Sequence, residues 1–464
     1  MKYNTETLNR AAEQLAEMFR VAITEETGSA TIADIEKSMR EALRQIGIQA
    51  LGQLLSSLQT TPESEIDCEC GGTLKYQRKR SATVISVFGR VTYERAYYAG
   101  CECGKGKSPL DERFGLEPGG VTSGLAALLA LAGIEFSYDE SPKWLDAYLL
   151  FDVSENTVRA ETEQMGELQQ KQEEALIEQS QEESYQQARQ RNPGEIVQRL
   201  YGSMDAAKVR IEPRPKKGEQ KPDHEDWRDM KILCWYEAET VPLSQRSTRQ
   251  REKAERELPV LRAKNMRYWC DIIEAEEFGK LLWATGCSVN ADLSPELVFL
   301  GDGAAWIWKL VSHYYPNAVQ IVDWFHAEEH LEIVAKAAFP NAADQHAWLE
   351  AASQSLWDGQ VEDVIRACEE LAPSCSKAQE AVTYFSNNID RMRYHHFRSA
   401  GYLIGSGTIE GAGFYIDLVE RLKDWQGMET RSGSLAAFAW LRVALVDLAT
   451  LRVVGEQRIQ GSRI

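Results

Sequence analysis

Two short apolar runs, Leu297-Val298-Phe299-Leu300-Gly301 and Ala318-Val319-Gln320-Ile321-Val322, each end in an acid, Asp302 and Asp323, and each acid opens an amphipathic segment. A buried strand reads as a near-continuous apolar run, and a carboxylate just past its end lies at the rim of a sheet. The succession strand, acid, helix, strand, acid, helix describes parallel strands joined by helices, so this part of the chain is α/β. Taken singly, Asp302 and Asp323 also have the look of helix N-caps, because a short carboxylate satisfies the unpaired amides of a first turn. Their chemical reading depends on acids elsewhere.

Upstream, Ile196–Tyr201 and Met204–Ile211 read as strands, the second carrying Asp205, and Lys231–Tyr236 and Arg267–Ile272 read as two more before a helix over Glu276–Gly286. Beyond Ala338 the chain becomes helical to about Arg398. Tyr402-Leu403-Ile404-Gly405-Ser406-Gly407-Thr408-Ile409-Glu410 then forms a glycine-bounded loop opening a helix with Glu410 in its first turn. The loop lacks the lysine and hydroxyl of a nucleotide-binding loop, which argues against nucleotide hydrolysis. Asp205, Asp302 and Glu410 instead make a plausible set of hard oxygen ligands for two divalent cations, Mg²⁺ or Mn²⁺, which activate a water or 3′-hydroxyl against a phosphodiester without a covalent nucleophile. His326 and His330, four apart on one predicted helical face, are equally consistent with surface histidines or with metal ligands.

Nine cysteines are present, four of them in two pairs, Cys68-Glu69-Cys70-Gly71 and Cys101-Glu102-Cys103-Gly104. Strand-like alternation over Thr83–Tyr93 joins the pairs, as in a zinc ribbon with Zn²⁺ on four thiolates, although the usual spacing inside a pair is two residues rather than one. A metal-free hairpin is the alternative. Cys234, Cys270, Cys287, Cys368 and Cys375 sit among apolar neighbours and read as core residues.

Ser141-Pro142-Lys143-Trp144-Leu145 starts a helix with proline just inside it, and Ser154 can cap a second helix after a tight turn. That is a helix-turn-helix pattern, whose second helix would bring Asn156, Thr157 and Arg159 to a major groove. The second helix runs into a Gln/Glu-rich tract reaching Arg191, with eleven acids against four bases from Asp152 to Glu195, which reads as a solvated spacer or oligomerisation helix. The formal charge of −19 argues against a simple nucleic-acid coat. Positive charge is nevertheless gathered locally: six bases and one acid from Lys75 to Arg95 (Lys75, Arg78, Lys79 and Arg80 among them), and six bases and two acids from Lys208 to Lys221, including Lys216 and Lys217. A third such stretch, Arg246–Lys264, holds seven bases and three acids. Screening confines each field to roughly 10 Å, so such stretches can contact phosphates despite the net charge. The longest apolar run, Leu125–Phe136, is too short for a bilayer and the N-terminus has no signal pattern, so the expectation is a cytoplasmic protein with no membrane partner.

Met204-Asp205-Ala206-Ala207-Lys208-Val209, Gly301-Asp302-Gly303-Ala304-Ala305-Trp306-Ile307-Trp308, Asp323-Trp324-Phe325-His326 and Gly405-Ser406-Gly407-Thr408-Ile409-Glu410, in this order, resemble the DDE transposases of bacterial insertion sequences, within the Mutator-like group the Kra-type insertion-sequence family. The resemblance runs from the cysteine pairs to about residue 450. It implies an α/β, ribonuclease H-like catalytic core with a helical insertion, preceded by a helical region, a zinc ribbon and a helix-turn-helix. In these terms residues 1–60 are the helical N-terminal region, 61–115 the ribbon, 116–192 the helix-turn-helix and long helix, 193–335 the first part of the core, 336–400 the insertion, and 401–464 the helices completing the core. Asp205, Asp302 and Glu410 would be the metal-binding triad, with Asp323 and His326 matching the family's acid-x-x-His signature near the scissile phosphate. The implied partner is double-stranded DNA, as transposon ends and target, bound by a homodimer or higher oligomer in association with the bacterial nucleoid. The chain departs from the family after the glutamate, where Gly427-Met428-Glu429-Thr430 stands in place of Gly-Met-Arg-Trp. That departure and the overall acidity suit an alternative, a captured, non-catalytic DNA-binding regulator; a general nuclease of the same fold is the third reading.

Overall fold

In the computed structural model, residues 31–58, 62–211, 226–241 and 261–405 are described, with a few positions between 12 and 20. Lys216, Lys217, Glu410 and the departure at Glu429 lie outside them. Among the described residues two compact units emerge, the first holding those up to Gly133 with Tyr138–Thr162, the second Ile134–Ser137 and those from Glu163 to Gly405.

In the first unit, α1 (Ile32–Ser57) begins at a capping box: Asp34 N donates to the Thr31 hydroxyl, and the Asp34 carboxylate accepts from Thr31 N. An antiparallel sheet follows, β1 (Glu65–Asp67), β2 (Thr73–Ser86) and β3 (Gly89–Ala99), the latter two forming the hairpin that the alternation predicts. The hairpin buries opposite faces at its two ends. Near the turn, Ala82, Val84, Val91 and Tyr93 pack with Leu55 of α1; at the cysteine end Leu74, Ala96 and Tyr98 pack with Cys68. The helices α2 (Pro109–Phe114), α3 (Ser123–Glu135), α4 (Ser141–Leu149) and the start of α5 (Glu155–Gln181) come next.

The second unit holds a five-stranded sheet made of β4 (Arg199–Ile211), β5 (Asp226–Thr240), β6 (Leu261–Asp271), β7 (Glu296–Gly301) and β8 (Val319–Val322), in the order β6-β5-β4-β7-β8. The strands β4, β5 and β6 are an antiparallel meander; β7 is parallel to β4, and β8 to β7. Between β6 and β7 runs α7 (Ala275–Ser288), between β7 and β8 α8 (Ala305–Tyr314), and after β8 α9 (Trp324–Ala338). Ile196–Gln198 are not strand, and from Arg199 the two strand-like runs on either side of Gly202 are one strand, because β4 pairs with β7 from Arg199 to Met204 and with β5 from Tyr201 to Ile211, so that ladders on both edges span the glycine.

The helices α10 (Ala342–Trp357), α11 (Val361–Leu371), α12 (Ser376–Asn387) and α13 (Tyr394–Ser399) occupy the stretch expected to be helical. They share a core with the sheet: Leu356, Val364, Phe385 and Tyr394 belong to the apolar cluster that contains Leu300 and Ile321. The Tyr394 hydroxyl donates to the Val322 carbonyl at 3.0 Å, tying this bundle to the end of β8. The Gln/Glu-rich tract is not a free spacer. It breaks at Glu182 into α5 and α6 (Glu183–Arg191), and buries Met165, Gln169, Ser180 and Arg189, the last bonded to Asp292 and Asn290. Burial also pushes the Glu173 carboxyl up to about 7, with Asp271 and Glu174 adding repulsion. Cys234, Cys270, Cys287, Cys368 and Cys375 are buried, as their neighbours suggested. No described helix is long and apolar enough to cross a membrane.

Candidate functional site

The two cysteine pairs meet. Cys68, Cys70, Cys101 and Cys103 bring their sulfurs within 4.8 Å of one another, with Cys68–Cys103 and Cys68–Cys70 at 3.5 Å and Cys70–Cys101 at 3.4 Å. Four thiolates about 2.3 Å from a tetrahedral zinc stand roughly 3.8 Å apart, so the donor set and spacing fit Zn²⁺. One intervening residue suffices because each pair is wound into a tight turn: Gly71 N donates to the Cys68 carbonyl at 2.9 Å and Gly104 N to the Cys101 carbonyl at 3.0 Å. Gly71 and Gly104 have φ of 87° and 73°, a left-handed conformation that glycine adopts without steric cost. A cluster of four cysteines able to bind a metal such as zinc is therefore built into the fold.

The basic residues of β2 fall into a pattern invisible in the sequence. A bulge between Tyr76 and Arg78 shifts the alternation, so Lys75 opposite Ala99, Arg78 opposite Tyr97 and Arg80 opposite Arg95 share one face, and Lys79 opposite Ala96 takes the other. This is the face that carries the core near the turn and is open at the cysteine end. Arg80 lies over the Tyr97 ring at 3.8 Å, and Lys75 approaches Glu65 at 3.7 Å. In the helical pair, α4 ends at Leu150 with φ of 60° and Ser154 caps α5, its hydroxyl accepting from Thr157 N at 3.1 Å. Asn156 is exposed; the Thr157 hydroxyl is 2.7 Å from that of Ser154. Arg159 pairs with Glu155 at 3.3 Å and lies 5.0 Å from the Tyr138 ring centre. Of these three side chains, Thr157 and Arg159 are already engaged within the helical pair.

The acids of the second unit gather at one end of the sheet. Met204 is in register with Gly301 and Gly301 with Val322, so Asp302 and Asp323 follow the ends of β7 and β8, and Asp205, inside β4, stands one step past the end of its parallel ladder with β7. Asp323 is fully buried and caps α9: its Oδ1 accepts from Phe325 N at 2.7 Å and from His326 N at 3.1 Å. The acid-x-x-His spacing is thus the geometry of a cap, with the histidine at the amide that the acid holds. Asp302 lies two residues ahead of its helix-capping position, and its Oδ1 accepts from Ala304 N at 2.8 Å. Burial raises the Asp205 carboxyl above the usual carboxylate range; a hydrogen bond from Ala206 N and the nearby His326 oppose the shift, and the charges of Asp302 and Asp323 add to it. His326 Nδ1 is 3.7 Å from Glu329. His330 is held toward its neutral form chiefly by burial.

The segment leading to Glu410 arrives at the same place. Trp324 N donates to the Ile404 carbonyl at 2.8 Å, and a Cβ on Gly405 would lie 3.8 Å from Asp323 Oδ2. Among the described residues the four cysteines are the only group of three or more potential ligands with all donor atoms within 4.8 Å, so Asp205, Asp302 and Asp323 do not close on a single point. The Asp205 carboxyl is raised chiefly by its burial, with a smaller contribution from the like charges of Asp302 and Asp323. Hard carboxylate oxygens crowded into one partly buried rim fit a divalent cation such as Mg²⁺ or Mn²⁺ in donor type.

No family model and no curated protein matches this chain. Tyr384 is the residue at this rim that sequence reasoning missed: it lies on α12 and its hydroxyl donates to the Asp302 carbonyl at 2.8 Å, a contact across 82 positions that no local pattern announces.

The Asp205 environment has a stability consequence. An acid whose folded value is raised favours its protonated form in the fold; the benefit is complete below its unfolded value and is lost as pH rises past the folded one. At neutral pH, Asp205→Asn removes a buried repulsive charge, and a gain of about 1 kcal/mol is expected, or roughly 2–4 °C in melting temperature for a unit of this size. Differential scanning calorimetry without divalent metal checks it; a lowered melting temperature would refute the crowding.

Proposed function

We propose that the second unit is a ribonuclease H-like core and that the protein is a DDE-type transposase of an insertion sequence. It would bind terminal repeats in double-stranded DNA and carry out divalent-metal-dependent cleavage and strand transfer. The observation that carries this reading is the placement of Asp205 and Asp302 each one step past the end of the parallel β4–β7 ladder, with Ile404 and Gly405, which precede Glu410, held at Trp324 and Asp323. Counted within the sheet, the order of three antiparallel strands followed by two parallel ones, 3-2-1-4-5, supports the core assignment.

In this reading Asp205, Asp302 and Glu410 hold two Mg²⁺ or Mn²⁺ ions. Such ions, when bound, supply Lewis-acid charge that favours attack on a phosphodiester and departure of the leaving oxygen. Asp323 fixes the first turn of α9 and so aims His326 at the rim, where the imidazole can hold or pass a proton. The open face of β2, with Lys75, Arg78 and Arg80, and the start of α5, with Asn156, would contact phosphates and bases. Lys79, Thr157, Arg159, Lys216 and Lys217 belong to the same proposed contact set. A homodimer or higher oligomer on DNA, in the nucleoid, follows from the need to hold two ends at once. The charge of −19 and the acid at Glu429 favour a second reading, a DNA-binding regulator on the same fold.

Incubating the zinc-loaded protein with DNA carrying the ends of its element, in Mg²⁺ or Mn²⁺, separates the two. Strand cleavage at the ends is the expected result. Sequence-specific binding with no cleavage in any divalent metal gives the protein to the regulator.

A further inference from the structure

Tyr384 and His330 form a unit of their own behind Asp302. The Tyr384 hydroxyl holds the Asp302 carbonyl at 2.8 Å, and its ring covers Gly303, where a Cβ would come within 2.7 Å of the ring and where φ is +100°. His330 stacks on that ring with centroids 3.8 Å apart and planes 23° from parallel. On the other side of the turn, Ala304 N reaches back to Asp302 Oδ1 at 2.8 Å. The Asp302–Ala304 turn is therefore gripped both from its own helix and from the distant α12. A turn with a left-handed glycine has few intrinsic restraints, so its carboxylate direction is set by what packs on it.

We infer that Tyr384, backed by His330, is a positioning residue that aims the Asp302 carboxylate for divalent-metal binding, and so couples the helical bundle to the acidic rim. The inference rests on the metal-site reading above. Tyr384 touches the backbone of Asp302 and acts through that residue alone.

The test is Mn²⁺ titration of the zinc-loaded full chain by isothermal calorimetry, with the free Mn²⁺ signal in electron paramagnetic resonance as a second measure. Tyr384→Phe keeps the ring and the stack and removes only the hydroxyl. It is expected to weaken Mn²⁺ binding about tenfold, the scale of one lost hydrogen bond, with little change in the melting temperature of the metal-free protein. Asp302→Asn is the reference and should abolish that binding. If Asp302→Asn abolishes binding while Tyr384→Phe binds as the unaltered protein does, the positioning role is wrong and the metal site stands. If Asp302→Asn binds Mn²⁺ normally, the metal-site reading fails and this inference fails with it.

Discussion

On the proposed transposase reading, Asp302→Asn is expected to lower cleavage of element-end DNA at least about 10³-fold, which is about 4 kcal/mol of barrier, while DNA affinity stays within about twofold. The amide keeps an oxygen for the bond from Ala304 N at 2.8 Å, so the turn and α8 should form as before. What it removes is a negative charge beside Asp205, in the one place where the proposed chemistry needs charge to bind a cation. The loss should therefore appear in the rate of strand cleavage at saturating DNA and not in gel-shift affinity. The basic face of β2 and the start of α5, where binding is assigned, belong to the other unit. Cleavage retained by the variant would remove Asp302 from the mechanism. Unfolding of the variant, seen by circular dichroism, would show instead that the carboxylate is chiefly a structural part of the turn.

Removing metal from the four-cysteine cluster is expected to have the second large effect, on folding. Among the described residues the cluster at that end of the hairpin has only Cys68, Leu74, Ala96 and Tyr98 as buried apolar members, too few to offset the entropy of ordering the turns around them. Small zinc modules draw roughly 10–16 kcal/mol of apparent binding energy from the metal at neutral pH. The purified chain should carry about one zinc, and strong chelation, or Cys68→Ser with Cys101→Ser, should expose the amides of β1 and the cysteine end of β2 and β3 to hydrogen exchange. The turn end of the same hairpin, packed on α1 through Val84, Val91 and Leu55, should remain protected. Full protection of both ends without metal would show that the thiols are incidental to the hairpin.

Part of the second unit was legible because the ends of β7 and β8 are buried. Leu297–Gly301 is apolar throughout and Val319–Val322 apolar but for Gln320, and the acids that end them bond to the amides of the turns that follow, so position along the chain nearly specified position in the sheet. The cap at Asp323 was readable for the same reason: a carboxylate two and three residues ahead of free amides meets them whatever the tertiary context. The division of β4 into two runs was misread at Gly202, because a local propensity for breaking gave way to hydrogen bonds supplied by two neighbouring strands. The polar tract of α5 and α6 is largely solvated as its composition suggests, but composition does not say that Arg189 meets Asp292 or that Glu173 lies beside Asp271.

By itself the sequence determined the type of most helices and strands, the thiols that could hold zinc, and the acids that could reach a sheet rim. All of these follow from interactions within a few residues or from the period of burial. Tertiary structure alone decided the strand order, the bulge that collects Lys75, Arg78 and Arg80 on one face, the neighbouring strands that carry Asp205 and Asp302, and the grip of Tyr384 on a turn 82 positions away. Those are contacts between segments far apart in the chain, and their energies depend on packing that no local window contains.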